Sequence, residues 1–249
     1  MDLTDYYTFE FLIAAFAGFM GGLIRGFTGF GANLIWAPAL IMVIDPVQAV
    51  AIMALVGTFS SVQIAVPASK HVNWREIYPI ILASWITVPI GIWALYSLPP
   101  DNIKRFIGAF IILIVLILFS GWRYTGARNG IKGRLAQSVT GAIAGLFSGF
   151  GGIGGPIPVL YFMASTSPAH IQRANNVIAV TALIPMVIIV LTFNGAITQA
   201  TLINSFILFF PFSLGVFLGT HGFKISQPEV FRKIVLTLLL IIGLSSLLF

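Results

Sequence analysis

Six stretches of the chain are almost unbroken apolar runs: roughly 47–67, 77–97, 104–122, 171–193, 200–221 and 231–248. Each is close to the length of about 20 helical residues that crosses a hydrocarbon core of about 30 Å. Their ends carry turn and helix-start residues, at Asp45-Pro46, Pro99-Pro100-Asp101, Ser167-Pro168, Asn194-Gly195 and Gln227-Pro228. The pattern predicts six transmembrane helices.

Two other apolar stretches, 10–44 and 135–164, have a different form. Each places two arms of about 15 residues around a glycine cluster, and such an arm rises only about 22 Å. Glycine tolerates backbone turns that other residues do not. A helical hairpin that enters and leaves the bilayer on one side is therefore expected, or a pair of short full helices.

The two glycine stretches are copies. Gly18, Gly22, Gly26, Gly29 and Gly31 recur as Gly141, Gly145, Gly149, Gly152 and Gly154 at a single offset, and Leu23 and Phe27 recur there as Leu146 and Phe150. A looser echo continues downstream: Asp45-Pro46 against Ser167-Pro168, Gly91 against Gly215, and Lys104-Arg105 against Arg232-Lys233. The chain reads as a tandem repeat, with halves at 1–128 and 129–249.

Composition agrees with membrane residence. The 249 residues are 58% hydrophobic and 8% charged, where soluble domains carry about a quarter charged residues. The net charge of +6 is expected to reflect basic cytoplasmic loops, and no nucleic-acid partner is expected. Asp2, Asp5 and Glu10, with no basic residue before position 11, speak against a signal peptide. There is no cysteine, which excludes disulfides, thiolate nucleophiles and Cys-ligated metals.

Charge also orients the halves. With one hairpin and three crossings per half and the N-terminus outside, Lys70, Arg75, Arg123, Arg128, Lys132, Arg134, Arg173, Lys224, Arg232 and Lys233 fall inside. Only Lys104 and Arg105 fall outside. Four crossings per half would split the same residues evenly, so the positive-inside rule favours the odd number. Five crossings per half would keep that parity. The expected fold is an all-α membrane protein of two inverted-topology repeats, with both termini periplasmic. Inverted repeats with broken helices at the midplane are common in secondary transporters.

The four-residue glycine spacing is first a packing signal for close helix approach in lipid. The turn segments, Gly26 to Asn33 and Gly149 to Pro156, are too glycine-rich for regular helix. Irregular backbone at membrane depth is tolerated beside protein or a water-filled cavity, and a helix N-terminus after the break suits an anion. The match of Gly149-x-Gly151-x-x-Gly154 to a dinucleotide fingerprint is set aside, because no βαβ unit surrounds it.

Arg25 is the most informative residue: its repeat mate is Ser148, so the charge is not needed by the shared fold. Arginine near the bilayer centre costs at least about 2.5–3.5 kcal/mol on insertion scales. Thr28 and Asn33 are the polar candidates in the same unit, and Gly152 and Gly154 are their backbone counterparts in the second. Arg173, Asn175 and Asn176 open the first span of the second half beside Gln172, where the first half is apolar. Arg173 reads equally as a charge at a helix end. Thr58, Ser60, Ser61 and Gln63 could line a path, although such side chains commonly bond their own helix. The tryptophans read as interface or packing residues. His71, His170 and His221 fall at span ends, so no metal centre, cofactor or imidazole catalysis is expected. The carboxylates also fall near interfaces, leaving no buried proton relay.

The segments Gly22-Leu-Ile-Arg-Gly-Phe-Thr-Gly-Phe-Gly-Ala-Asn and Gly145-Leu-Phe-Ser-Gly-Phe-Gly-Gly-Ile-Gly-Gly-Pro-Ile-Pro resemble the TauE/SafE family of bacterial sulfite and sulfonate exporters. The likeness extends over nearly the whole chain and implies export of sulfite, sulfoacetate or a related anion across the inner membrane. The first copy departs from the pattern, with Ala32-Asn33 where the second has Gly155-Pro156. The partners expected are a small anion and the lipid bilayer, with a homodimer left open. Transport of another anion, an intramembrane enzyme and a non-transporting scaffold are the alternatives. The enzyme lacks a visible constellation, and a scaffold has no need of Arg25 or Asn176.

Overall fold

A computed structural model describes residues 9–122, 124–163, 165 and 167–222. The expected last span, 231–248, lies outside the described residues, as do Asp2, Asp5, Arg123, Lys224, Gln227-Pro228, Arg232, Lys233 and the side chains of Glu10 and Gln63. The described chain forms α1 (Phe9–Thr28), α2 (Ala32–Val43), α3 (Pro46–Ala68), α4 (Trp74–Ser97), α5 (Pro100–Ser120), α6 (Gly130–Gly151), α7 (Pro156–Phe162), α8 (Ala169–Phe193) and α9 (Gln199–Gly222).

Five apolar runs thus become α3, α4, α5, α8 and α9, within a few residues of the expected bounds. The punctuation acts as helix ends require. Asp45 Oδ1 accepts the amides of Val47 and Gln48 at 2.9 and 3.3 Å, with Pro46 in the first turn of α3. Gly121, at φ 70°, closes α5. By length and composition Phe11–Thr28, Trp74–Ser97, Pro100–Ser120, His170–Phe193 and Gln199–Gly222 could each cross a bilayer.

The glycine units fold as helical hairpins, but the expectation of two arms of about 15 residues each is corrected. The arms hold 20 and 12 residues in the first unit, and 22 and 7 in the second. Only the last glycines of each run break the helix. Gly29 and Gly31 sit at φ 83° and Gly152 at φ 70°, the left-handed region that side chains disfavour. The earlier glycines stay helical. The return arm lies back along the first: Trp36 Nε1 donates to the Ala14 carbonyl at 3.0 Å. In the second unit Gln137 on α6 reaches the Tyr161 hydroxyl on α7 at 3.2 Å.

The helical glycines form two helix–helix seams, α1 against α9 and α4 against α6. A Cβ at Gly22 or Gly26 would collide with the carbonyls of Phe212 or Val216 on α9, and one at Gly219 with that of Leu23 on α1. On the other seam, Gly141, Gly145 and Gly149 of α6 meet the carbonyls of Ile80, Ser84 and Val88 on α4, while Gly91 meets that of Leu146. These contacts revise the loose echo downstream. Gly91 and Gly219 face the repeat-related Leu146 and Leu23, so Gly91 corresponds in packing to Gly219 and not to Gly215.

Contact order gives the helix directions. Residues rise together along α1 and α9 and along α4 and α6. Asn73 N donates to Asn175 Oδ1 at 2.8 Å and Trp85 Nε1 to the Ala182 carbonyl at 2.7 Å, so α4 and α8 are parallel. Gln48 Nε2, at the start of α3, donates to the Ala196 carbonyl just past α8, so those two are antiparallel. Thr201 Oγ1 donates to Gln48 Oε1 and Phe209 packs on Phe59, so α3 and α9 are parallel. Hence α1, α3 and α9 run one way, and α4, α6 and α8 the other.

Candidate functional site

The two glycine turns meet. Asn33, in the first turn of α2, donates Nδ2 to the Gly152 carbonyl at 2.7 Å. Beside this bond lies a cavity of about 60 Å³. One water occupies about 10–15 Å³ on that measure, so the space suits a few waters or one small anion. Its floor and roof come from the turns, through Phe30–Leu34 of the first and Ser148, Gly152, Ile153, Gly155 and Pro156 of the second. Its walls are apolar: Val50, Met53 and Ala54 on α3, and Val180, Leu183, Ile184 and Val187 on α8.

Arg25 supplies the charge. Its side chain reaches the cavity from the last turn of α1 and is 5% exposed. Nη2 donates to Ser61 Oγ at 2.6 Å, and Ser61 in turn donates to the Gly57 carbonyl at 2.6 Å. Nε is buried with no hydrogen-bond partner. Among the described residues, no carboxylate pairs with Arg25. A buried cation so arranged needs an anion to offset its desolvation. Ser148 and the Asn33 amide add neutral donors. The amides of Ala32 and Asn33 open α2, where no intrahelical acceptor exists, and Gly31 gives no side-chain cap. The second turn adds no equivalent helix end, since α7 has seven residues and starts on Pro156, which has no N–H.

Of the residues singled out by sequence, Arg25, Asn33 and Gly152 line the cavity. The other five lie outside its lining. Arg173 Nη2 donates to the Gly26 carbonyl at 3.0 Å, where a cation complements the C-terminal end of α1. The Thr28 hydroxyl stands 2.8 and 2.7 Å from the Ile24 and Phe30 carbonyls and shapes the turn. Gly154 is pressed against the Ala144 carbonyl. Asn175 accepts from the Asn73 amide at the start of α4. Asn176 lies one turn before Val180 on α8, with its Oδ1 buried and unpartnered.

Two hydroxyls at the site were not singled out: Ser148, which lines the cavity, and Ser61, which lies outside the lining and holds Arg25. Ser61 passed as one of several hydroxyls bonded to their own helix, as Thr58 and Ser60 are. Ser148 passed as the neutral mate of Arg25. The glycine offset held that signal, since Arg25 and Ser148 are matched by it in sequence and both line the cavity. Trp36 is fully buried against Gly18 and Phe212. Among the described residues no three potential metal ligands cluster.

Five described helices of membrane-spanning length and composition fit a multi-pass membrane protein. The family model for the sulfite exporter TauE/SafE matches residues 14–246, and the chain belongs to that family. No curated protein and no solved structure matches it significantly.

Proposed function

We propose that the chain exports a small sulfur oxyanion, with the cavity between the glycine turns as its binding site. The observation that carries this reading is Arg25, a buried guanidinium with no carboxylate partner among the described residues, facing a space of about 60 Å³. Arg25 holds the charge, while Asn33, Ser148 and the first amides of α2 orient the oxygens. The small volume favours sulfite over a longer anion such as sulfoacetate. Arg173, Thr28, Gly154 and Asn175 then shape the turns and helix ends around the site, and Asn176 stands on the path from α8.

The halves 1–128 and 129–249 are taken as inverted repeats in the inner membrane, with periplasmic termini. Support comes from helix direction: α1 and α6, α3 and α8, and α4 and α9 are mated by position and run oppositely. The seams join each hairpin to a helix of the other half, so rocking of one whole half against the other would break both. Alternating access instead moves α1, α2 and α9 as one body and α4, α6 and α7 as another, across α3 and α8. With the cytoplasm negative, each charge exported gains about 2.3 kcal/mol per 100 mV.

The test is sulfite efflux from liposomes holding purified protein. Wild-type protein is expected to pass sulfite faster than protein-free liposomes, and Arg25→Ala to lose that flux while keeping its helical content. Undiminished flux in the variant removes the cavity from the pathway.

A further inference from the structure

A second cavity, of about 170 Å³, lies where the chain between α5 and α6 closes over the N-terminal ends of α4 and α6. It shares no lining residue with the cavity at the glycine turns. Three arginines face it: Arg75 from the first turn of α4, Arg128 just before α6, and Arg134 from α6. The lining holds one acid, Glu76. The balance is two positive charges around a space several times that of a water.

The internal partners leave this charge unmatched. Arg128 Nη2 donates to the Tyr161 carbonyl at 2.6 Å, and the guanidinium stacks 4.6 Å from the Tyr161 ring centroid. Its Nη1 is buried without a partner. Glu76 Oε2 is likewise buried and unpartnered, so the acid does not close on Arg128 through both oxygens. Gln137, 2% exposed, gives its amide N–H groups to the Arg128 carbonyl and the Tyr161 hydroxyl at 3.0 and 3.2 Å. Arg75 and Arg134 make no hydrogen bond or ion pair among the described residues and are exposed.

We propose that this cavity binds a tetrahedral oxyanion of the sulfate or phosphate type, held by Arg75, Arg128 and Arg134. Guanidinium forks match the oxygens of such groups, two at a time. Glu76 competes with the anion for the same cations. Because Arg128 also holds Tyr161 of α7, occupancy of the cavity bears on the return arm of the second glycine hairpin. The oxyanion comes either from solution or from the phosphate of an anionic lipid.

Binding of inorganic sulfate to detergent-purified protein, measured by calorimetry at low ionic strength, tests the proposal. Arg75→Gln with Arg134→Gln is the main variant, since both side chains are exposed and its unfolding midpoint without anion checks the fold. Wild-type protein is expected to show a binding event that weakens at least tenfold in the double variant and tightens several-fold in Glu76→Gln. A parallel arm compares unfolding midpoints in phosphatidylcholine nanodiscs with and without phosphatidylglycerol, in sulfate-free buffer. A midpoint rise with phosphatidylglycerol that is lost in the double variant names the lipid phosphate as the source. A sulfate event lost in that variant names a dissolved oxyanion. Equal behaviour of wild type and double variant in both arms overturns the proposal, because any anion bound would then sit elsewhere, as at Arg25.

Discussion

Asn33 and Gly152 stand 119 residues apart, yet the side-chain amide of one donates to the backbone carbonyl of the other at 2.7 Å. The bond ties the start of α2 to the end of α6, and so ties the glycine turn of one half to that of the other. Gly152 sits at φ 70° and presents its carbonyl outside any helical ladder, while Asn33 has a second amide hydrogen to offer. The pair closes the cavity beside Arg25 without using all its donors.

Replacing Asn33 by alanine leaves the Gly152 carbonyl unpaired in a half-buried place, at a cost of up to about 1–3 kcal/mol. Asn33→Ala is expected to lower both the unfolding midpoint and sulfite flux. Asn33→Asp should be worse for flux than alanine, since a carboxylate there repels the carbonyl and competes with substrate for Arg25. Liposome flux and thermal unfolding of the two variants, measured together, separate these effects. Greater flux in the aspartate variant than in alanine would exclude an anion beside Asn33.

Arg25 divides its guanidinium between Ser61 and the cavity. Lysine offers one ammonium on a flexible stem and cannot present a fork. Arg25→Lys is expected to retain membrane insertion but lose about tenfold or more in apparent sulfite affinity, as befits a charge-assisted bond of about 1.5–3 kcal/mol. Ser61→Ala frees Nη2 and should alter affinity less than Arg25→Lys does. Concentration dependence of flux for the two variants gives the ordering, and the reverse ordering would make Ser61 the principal ligand.

Much of this arrangement was legible in the sequence because the bilayer simplifies the code. Apolar runs gave α3, α4, α5, α8 and α9, and the constant glycine offset located both hairpins. The arm lengths were not legible, since glycines that pack a helix and glycines that end one look alike in composition. Gly22 and Gly26 are helical because α9 presents its backbone to them, whereas Gly29 and Gly31 take positive φ. Arg25 stood out by its cost in lipid. Arg173 read equally as a charge at a helix end, and it donates to the Gly26 carbonyl, a long-range contact that no local pattern encodes. Ser61 and Ser148 were hidden for the same reason, as hydroxyls whose importance depends on what folds against them.

Arg173 and Arg25 should therefore fail differently. Loss of Arg173 removes a cation from the C-terminal end of α1, worth typically 0.3–1 kcal/mol and up to about 2 kcal/mol when partly buried. Arg173→Gln can still donate to a carbonyl and is expected to keep most sulfite flux, with a modest drop in unfolding midpoint. Arg25→Gln should show the opposite balance, with flux lost and the midpoint held or raised. Equal flux loss in both variants would place Arg173 in the binding site as well.

The glycine seams make the sharpest stability prediction. A Cβ at Gly145 would overlap the Ser84 carbonyl and the Thr87 hydroxyl, and one at Gly22 would overlap the Phe212 carbonyl. Neither neighbour is the free end of a flexible chain, because both carbonyls belong to helices in the bundle. The added methyl must push α4 from α6, or α9 from α1, and forfeit contacts along the whole seam. Overpacking of this kind costs typically about 1–3 kcal/mol, while the gain in helix propensity from glycine to alanine is only about 1 kcal/mol. Gly22→Ala and Gly145→Ala are thus expected to lower the unfolding midpoint despite that gain. Gly222→Ala is the control, since the same methyl there meets nothing within 4 Å among the described residues. Unfolding in detergent, followed by circular dichroism, should rank Gly222→Ala as the mildest of the three. If the seam variants match that control, α1 and α9 or α4 and α6 separate freely, and the two-body account of alternating access loses its basis.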